Sequence, residues 1–120
     1  MNNILIIEDE KMLREMYEQK LSENNINTFS AESADNAFAI LEKENIDLVL
    51  LDILLPKQNG IQILKKIREN PKIKNVKVIA FSNLDDPNIK RQAKIYNVID
   101  YLIKTDFTPK EIMQRIKQYL

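Results

Sequence analysis

The chain contains no cysteine and no histidine among its 120 residues. Without cysteine it can form no disulfide and offer no thiolate nucleophile. Without histidine it has no imidazole base or nucleophile, and the usual zinc sites lose their commonest ligands. Any chemistry must therefore come from carboxylates, hydroxyls and amines.

Long hydrophobic runs are also absent. The longest apolar segments fall well below the roughly 18 residues that a membrane-spanning helix needs, and no charged-then-apolar leader opens the sequence. The formal net charge is zero, which argues against a dedicated nucleic-acid binder. We therefore expect one soluble, cytoplasmic domain, residues 1–120, with no membrane contact and no direct contact with nucleic acid.

Glycine occurs once, as Gly60, at the end of the segment Pro56-Lys57-Gln58-Asn59-Gly60. Because glycine tolerates positive φ without cost, its single use predicts a loop of fixed, tight shape. The bases that follow are predicted to be a solvated helix end and loop without a function. These bases are Lys65, Lys66, Arg68, Lys72, Lys74 and Lys77.

Five apolar segments alternate with five amphipathic ones. The apolar segments predict strands over residues 3–7, 26–29, 46–52, 76–81 and 99–103. Strands that alternate with helices indicate an α/β fold, a doubly wound parallel sheet with five helices on its two faces. The first, third and fourth strands are continuously apolar and should be central. The flavodoxin-like order 2-1-3-4-5 satisfies this requirement.

Capping signals place three of the helices. Ser33 is a good N-cap, Asp86-Pro87 pairs a cap with proline at the first helical position, and Thr108 to Glu111 has the pattern of a capping box. The fourth helix buries only a narrow stripe, formed by Ile89, Ala93 and Tyr96. A narrow stripe holds a helix less firmly, so this helix is a candidate for movement.

Polar groups follow four of the predicted strands: Glu8 and Asp9, Asp52, Ser82, and Lys104. In the predicted order the carboxyl ends of these strands lie side by side, where ligands of open α/β sheets bind. Neighbouring carboxylates repel unless a cation separates them, and Mg²⁺ suits a site of two or three acids that keeps open water positions.

The same groups match what phosphoryl transfer needs. Asp52 would be the nucleophile, and Mg²⁺ and Lys104 would offset charge on the equatorial oxygens. Ser82 would donate a hydrogen bond to one of these oxygens. The predicted product is an aspartyl phosphate.

Taken together, the ordered set resembles a response regulator receiver domain of two-component signalling, and the resemblance covers the whole chain. It consists of Glu8-Asp9, Asp52, the Pro56 to Gly60 loop, Ser82, and the segment from Asp100 to Lys104.

The resemblance implies specific roles. Asp9, Asp52 and the backbone carbonyl of Leu54 would bind Mg²⁺, and Glu8 would act mainly through water. Ser82 and Tyr101 would be the switch pair, which remodels the face formed by the fourth helix, fifth strand and fifth helix. The phosphoryl donor would be a histidine kinase, a phosphotransfer protein or a small acyl phosphate. The output would be a downstream protein, an effector domain missing from this chain, or a phosphorylation-dependent homodimer.

Three positions depart from the family pattern. Thr105 stands where a proline, commonly with a cis bond, often follows the lysine, and Asn83 replaces a small residue. Asn97-Val98 stands where Gly-Ala is common, and Asn still tolerates the left-handed region.

Two other functions compete with the phosphorylated switch. One is a receiver fold that serves as a phosphorylation-independent interaction module. The other is an enzyme of the same topology, either a flavin carrier or an aspartate phosphatase. The phosphatases need a second acid two residues after the nucleophile, where this chain has Leu54. We therefore expect no turnover of an external substrate beyond autodephosphorylation.

Overall fold

A computed structural model describes residues 2–55, 59–83 and 85–120. Strands and helices alternate along the chain, as predicted. Their bounds are β1 Asn3–Ile7, α1 Lys11–Glu23, β2 Asn27–Ala31, α2 Ala34–Lys43, β3 Leu48–Asp52, α3 Gly60–Glu69, β4 Lys77–Ser82, α4 Pro87–Ile95, β5 Asp100–Ile103 and α5 Pro109–Gln118. A 3₁₀ turn, Lys104–Asp106, lies between β5 and α5.

The strands form one parallel sheet in the order β2-β1-β3-β4-β5, which confirms the predicted topology. β3 is buried along its whole length, while β2 and β5 carry the more exposed residues of edge strands. The second strand lies later in the sequence than predicted, because its pairing with β1 runs from Asn27 to Ala31 and includes the polar Ser30. Among the described residues, no helix has the length and apolar composition needed to cross a bilayer.

Each face of the sheet has its own apolar core. On one face, side chains of α2, α3 and α4 pack on alternate strand residues such as Leu5, Val49 and Ala80. On the other, α1 and α5 cover the intervening residues, including Leu50 and Phe81. Covering both faces removes the strands from water, which explains their continuous apolar runs.

The predicted caps are present. Ser33 Oγ accepts the N–H of Asn36, and an Asp86 carboxylate oxygen accepts the N–H of Asn88 at 2.8 Å. The capping box of α5 is complete, with Thr108 and Glu111 each accepting the other's backbone N–H. These contacts satisfy backbone donors that a helix start otherwise leaves unpaired.

Asparagine ends two helices where glycine is usual. Asn25 and Asn97 have φ values of 59° and 60°, in the left-handed region. After each of them the chain turns back, and the N–H of Ile26 donates to Leu21 O while the N–H of Val98 donates to Ala93 O. This is the Schellman pattern, and asparagine is the residue after glycine that best tolerates it. The prediction for Asn97 is confirmed.

The prediction for Gly60 was wrong in its reason. Its φ is not positive, and it is the first residue of α3. A Cβ at this position would lie 2.6 Å from Ile53 Cα and 2.8 Å from Asp52 O. Glycine is required because α3 begins against the end of β3, closer than any side chain allows. The preceding residues 56–58 of the predicted loop lie outside the described residues.

The prediction for the basic run holds for its lysines and is wrong for Arg68. The five lysines are exposed. The guanidinium of Arg68, however, donates to four backbone carbonyls, those of Lys74, Val76, Tyr96 and Asn97. This arginine ties α3 to the loop before β4 and to the end of α4.

Candidate functional site

Four strands end with polar groups at one edge of the sheet. Glu8 and Asp9 follow β1, and Lys104 follows β5. Asp52 and Ser82 are the last residues of β3 and β4. Because neighbouring strands are parallel, their carboxyl ends lie side by side. The groups that the sequence pattern brings together are adjacent in the structure.

Three carboxylates form an acid cluster at this edge. One oxygen from each of Glu8, Asp9 and Asp52 lies within 4.8 Å of one from each of the others. Glu8 and Asp52 are only 1% and 3% exposed, whereas Asp9 is open to solvent. Carboxylate oxygens are the donors that Mg²⁺ prefers, and an exposed side leaves room for water or a phosphoryl oxygen. The donor set therefore fits Mg²⁺.

The acid cluster has an electrostatic cost. Burial raises the pKa of Glu8, a hydrogen bond with Asp52 raises it further, and Lys104 acts in the opposite direction. Burial also raises the pKa of Asp9, followed by its hydrogen bond with Glu8. Both shifts reflect the cost of holding negative charges close together away from water. A divalent cation would reduce this cost.

Lys104 is the cation that the structure places at the acid cluster. Its Nζ lies 2.7 Å from Glu8 Oε1 and 3.3 Å from Asp52 Oδ2. The lysine side chain is 14% exposed, so these ion pairs are largely shielded from water. Shielding strengthens the attraction and also makes each unpaired charge expensive. The buried negative charges of Glu8 and Asp52 therefore depend on Lys104 for compensation.

The other oxygen of Asp52 has a backbone partner. Leu54 N–H donates to Asp52 Oδ1 at 3.0 Å. Together with Lys104 at Oδ2, this contact fixes the orientation of the carboxylate. The Leu54 side chain is 51% exposed. The predicted use of the Leu54 carbonyl as a metal ligand stays a prediction.

Ser82 and Tyr101 are in contact. Burial raises the pKa of Tyr101, while its hydrogen bond with Ser82 and the charge of Lys90 lower it. Ser82 is fully buried beside Asp52, and Lys90 Nζ lies 5.9 Å from the centroid of the Tyr101 ring. Lys90 also pairs with Asp85 in the segment before α4. Contacts thus lead from Ser82, at the end of the strand next to Asp52, through Tyr101 to Lys90 on α4.

The sequence matches one protein family over almost its whole length. The family is described as the response regulator receiver domain, and the match covers residues 4–117. The chain belongs to this family. As a receiver domain it is a signalling switch and not an enzyme that turns over an external substrate, and response regulators interact with histidine kinases and effector domains.

Individual proteins show the same relationship. Transcriptional regulatory protein MalR of Bacillus subtilis is 37% identical over 109 residues, which cover 87% of this chain and 44% of MalR. Response regulator protein TrrA of Thermotoga maritima, solved in complex with Mg(2+)-BeF, is 28% identical with a TM-score of 0.86, and all of both chains is covered. Chemotaxis protein CheY4 of Vibrio cholerae, 21% identical with a TM-score of 0.92 over 100% of this chain and 99% of its own, shares the fold.

The receiver domain spans about half the length of the curated relatives it matches. Two of its departures from the family pattern, Asn83 and Thr105, directly follow Ser82 and Lys104, whereas Asn97-Val98 lies at the end of α4. The bond between Lys104 and Thr105 is trans, and the side chains of Thr105 and Asn83 are exposed. Within the described part of the chain, neither side chain forms a hydrogen bond with the acid cluster.

Three residues that contact the site groups or support such a contact have no motif to identify them. Arg14, on α1, donates to the backbone carbonyls of Glu8 and Asp9 and so holds the acidic segment against the helix. The Phe81 ring lies beneath Lys104, and Tyr17 packs edge-to-face against Phe81. The sequence marked both aromatic residues as apolar positions, which predicts burial and says nothing about the lysine.

Proposed function

We propose that this receiver domain accepts a phosphoryl group on Asp52, in the cytoplasm, from a histidine kinase, a phosphotransfer protein or a small acyl phosphate. The observation that carries the proposal is the environment of Asp52, a buried member of the acid cluster that also pairs with Lys104. These 120 residues contain no histidine, so a phosphohistidine donor must lie outside them.

In the proposed transfer, an Asp52 oxygen attacks the phosphorus of the donor. A new P–O bond forms as the P–N bond of phosphohistidine, or the P–O bond of an acyl phosphate, breaks and the donor leaves with the bonding electron pair. Lys104 is close enough to follow a phosphoryl oxygen as negative charge develops on it. The Ser82 hydroxyl, at the end of the adjacent strand, would donate to another.

Glu8, Asp9 and Asp52, with the carbonyl of Leu54, would hold Mg²⁺. When bound, Mg²⁺ neutralises negative charge on the acids and on the phosphoryl oxygens. The protein residues orient the acceptor and keep the buried part of the site dry. The complex of TrrA with Mg(2+)-BeF supports this assignment, since the two chains are 28% identical and align over their full lengths.

The proposed output passes through Ser82 and Tyr101. A phosphoryl oxygen that accepts a hydrogen bond from the Ser82 hydroxyl would compete with the hydrogen bond between Ser82 and Tyr101. Tyr101 also lies beside Lys90 on α4, so a change in its position would alter the face formed by α4, β5 and α5. We propose that this face controls a downstream protein, an effector domain in a longer chain, or a phosphorylation-dependent homodimer.

Intact-mass spectrometry after incubation with acetyl phosphate and Mg²⁺ tests the proposed function. We expect the wild-type domain to gain one phosphoryl group and Asp52→Asn to gain none, because the amide is a poor nucleophile. Asp47→Asn, just before β3 and outside the acid cluster, is the matched control and should be phosphorylated like wild type. An equal gain of mass in Asp52→Asn would show that Asp52 is not the phosphoryl acceptor. No gain in wild type would favour the phosphorylation-independent module.

Mg²⁺ should raise the melting temperature more near pH 7.5 than near pH 5. Glu8 and Asp9 have raised pKa values, so the folded state holds these protons more tightly than the unfolded state does. Their contribution to stability is therefore present at low pH and lost as pH rises through the folded pKa values. Mg²⁺ binds the ionised acids and so restores the stability that is lost at high pH.

Differential scanning fluorimetry at both pH values measures this effect. Asp9→Asn should be more stable than wild type without Mg²⁺, because it removes one of the crowded charges. The same variant should lose most of its response to Mg²⁺. Exposed Asp35→Asn on α2 is the control. A Mg²⁺ response that Asp9→Asn leaves intact would contradict the assignment of the acid cluster as the metal site.

A further inference from the structure

Lys104 has a third neighbour besides the two carboxylates. Its Nζ lies 4.6 Å from the centroid of the Phe81 ring, over the ring. An ammonium within about 6 Å of an aromatic centroid is attracted by the negative face of the ring, and more strongly when the pair is shielded from water. Phe81 is fully buried, so this pair is largely shielded.

The ring is itself held in place. Tyr17 from α1 packs against Phe81 with 5.5 Å between the ring centroids and 89° between the planes. Tyr17 is 3% exposed, so neither ring is free to turn away. Perpendicular packing is one of the favourable arrangements for aromatic pairs. We call Phe81 and Tyr17 the aromatic seat.

Phe81 differs in charge from the other two partners of Lys104. Glu8 and Asp52 are charged and belong to the group that changes when a cation binds or when Asp52 is modified. Phe81 is neutral, and its attraction for the ammonium does not depend on how these acids are paired. A lysine has a flexible four-carbon chain, so a constant contact limits where its ammonium can go.

We propose that Phe81 is a positioning residue, whose ring face holds the Lys104 ammonium beside Asp52 before and after the phosphoryl group arrives. This role rests on the proposed function and extends it. The contact works through the charge distribution of the ring as well as its volume. A side chain of similar size but weaker negative face should therefore fill the core and still position Lys104 poorly.

Site-specific replacement of Phe81 by mono-, di- and trifluorophenylalanine separates these two contributions. Fluorine withdraws charge from the ring face and changes its size little. The second-order rate constant for phosphorylation by acetyl phosphate should fall stepwise, to about a tenth with the trifluorinated ring. Melting temperatures should stay close to wild type. The same replacements at Phe29, on the edge strand β2, are the control and should leave the rate unchanged.

A second measurement does not need phosphorylation. The ε-methylene protons of Lys104 lie next to an aromatic face, so their NMR signals should be shifted upfield by the ring current and return to ordinary values in Phe81→Leu. If the phosphorylation rate constant is the same across the fluorinated series and falls only in Phe81→Leu, the ring acts through packing alone and the proposal is overturned. Ordinary shifts for these protons in wild type would also overturn it.

Failure of the proposed function would look different. If the wild-type domain gains no phosphoryl group, the acceptor role of Asp52 is wrong and the rate series has no signal. The ring-current shift then decides by itself whether Lys104 occupies the aromatic seat.

Discussion

Replacing Lys104 with methionine should lower the free energy of unfolding by about 3 kcal/mol near pH 7.5 without Mg²⁺. The substitution keeps most of the side-chain volume and removes the ammonium that lies 2.7 Å from Glu8 and 3.3 Å from Asp52. Both carboxylates are almost completely buried. Breaking a buried pair is costly because the remaining charge has neither water nor a partner.

The effect should depend on pH in a defined direction. Lys104 lowers the pKa of Glu8, so its loss raises that pKa further above the ordinary value. A carboxylate with a raised folded pKa contributes stability at low pH and loses it as pH rises. The variant should therefore differ less from wild type near pH 5 than near pH 7.5, because a raised pKa favours the protonated form of Glu8 as the pH falls. Mg²⁺ should restore part of the lost stability at the higher pH.

Urea unfolding followed by circular dichroism measures these differences. Lys66→Met, at an exposed position on α3, is the matched control and should change stability by less than about 0.5 kcal/mol. The double variant Glu8→Gln, Lys104→Met should recover part of the loss, because it removes one of the two buried carboxylate charges that Lys104 pairs with. A loss that is the same near pH 5 and pH 7.5 would show that Lys104 contributes through packing instead.

Phosphorylation should also slow in Lys104→Met, by about 100-fold even with saturating Mg²⁺. Removing one group that stabilises developing charge typically has an effect of this order. The stability and rate measurements separate the two roles of the lysine. Mg²⁺ can offset negative charge in the acid cluster before phosphorylation, but it cannot replace the ammonium at a second phosphoryl oxygen. A rate close to wild type would contradict the catalytic role of Lys104.

The sequence predicted the fold and most of the site because both follow from where strands end. Continuous apolar runs identify the central strands, and parallel pairing in the order 2-1-3-4-5 then brings Glu8, Asp52 and Lys104 to one edge. Each of these residues is next to a strand end in the sequence, so its position needs no knowledge of side-chain packing. Capping residues worked for the same reason, since a cap acts on backbone groups within its own helix start.

The residues that sequence reasoning misjudged act through distant contacts. Gly60 is required by its approach to Ile53 and the backbone of Asp52, which depends on how α3 meets β3. Phe81 is one of several apolar residues in its strand, and only the packed structure shows which of them lies beneath Lys104. Among the residues that the structure describes, Arg68 pairs with backbone carbonyls and with no acid, so charge patterns along the sequence could not identify its role.

Arg68 also carries the second large expected effect. We expect Arg68→Met to lower the free energy of unfolding by about 3 kcal/mol. The guanidinium donates to Tyr96 O at 2.7 Å and to Asn97 O at 3.1 Å, both at the end of α4. It also donates to the carbonyls of Lys74 and Val76 before β4. Methionine would leave all four acceptors without this partner.

The location of these carbonyls makes the effect larger than for a surface arginine. Tyr96 and Asn97 form the left-handed end of α4, where carbonyl groups lack helical partners and the helix dipole favours a positive charge. Burial lowers the pKa of Arg68, and an arginine remains charged despite such a shift. Since α4 buries only Ala93 fully, we expect the hydrogen bonds of Arg68 to contribute substantially to holding this helix on the domain.

Chemical denaturation and hydrogen exchange together test this role. Arg91→Met, at an exposed position on α4, is the control and should stay within about 0.5 kcal/mol of wild type. Arg68→Lys should lose nearly as much stability as Arg68→Met, because one ammonium cannot reach carbonyls that a forked guanidinium spans. Amide exchange should accelerate first at Asn97 and Val98, whose N–H groups close the end of α4. If amide exchange at Asn97 and Val98 is unchanged while global stability falls, Arg68 stabilises the loop before β4 and does not stabilise the end of α4.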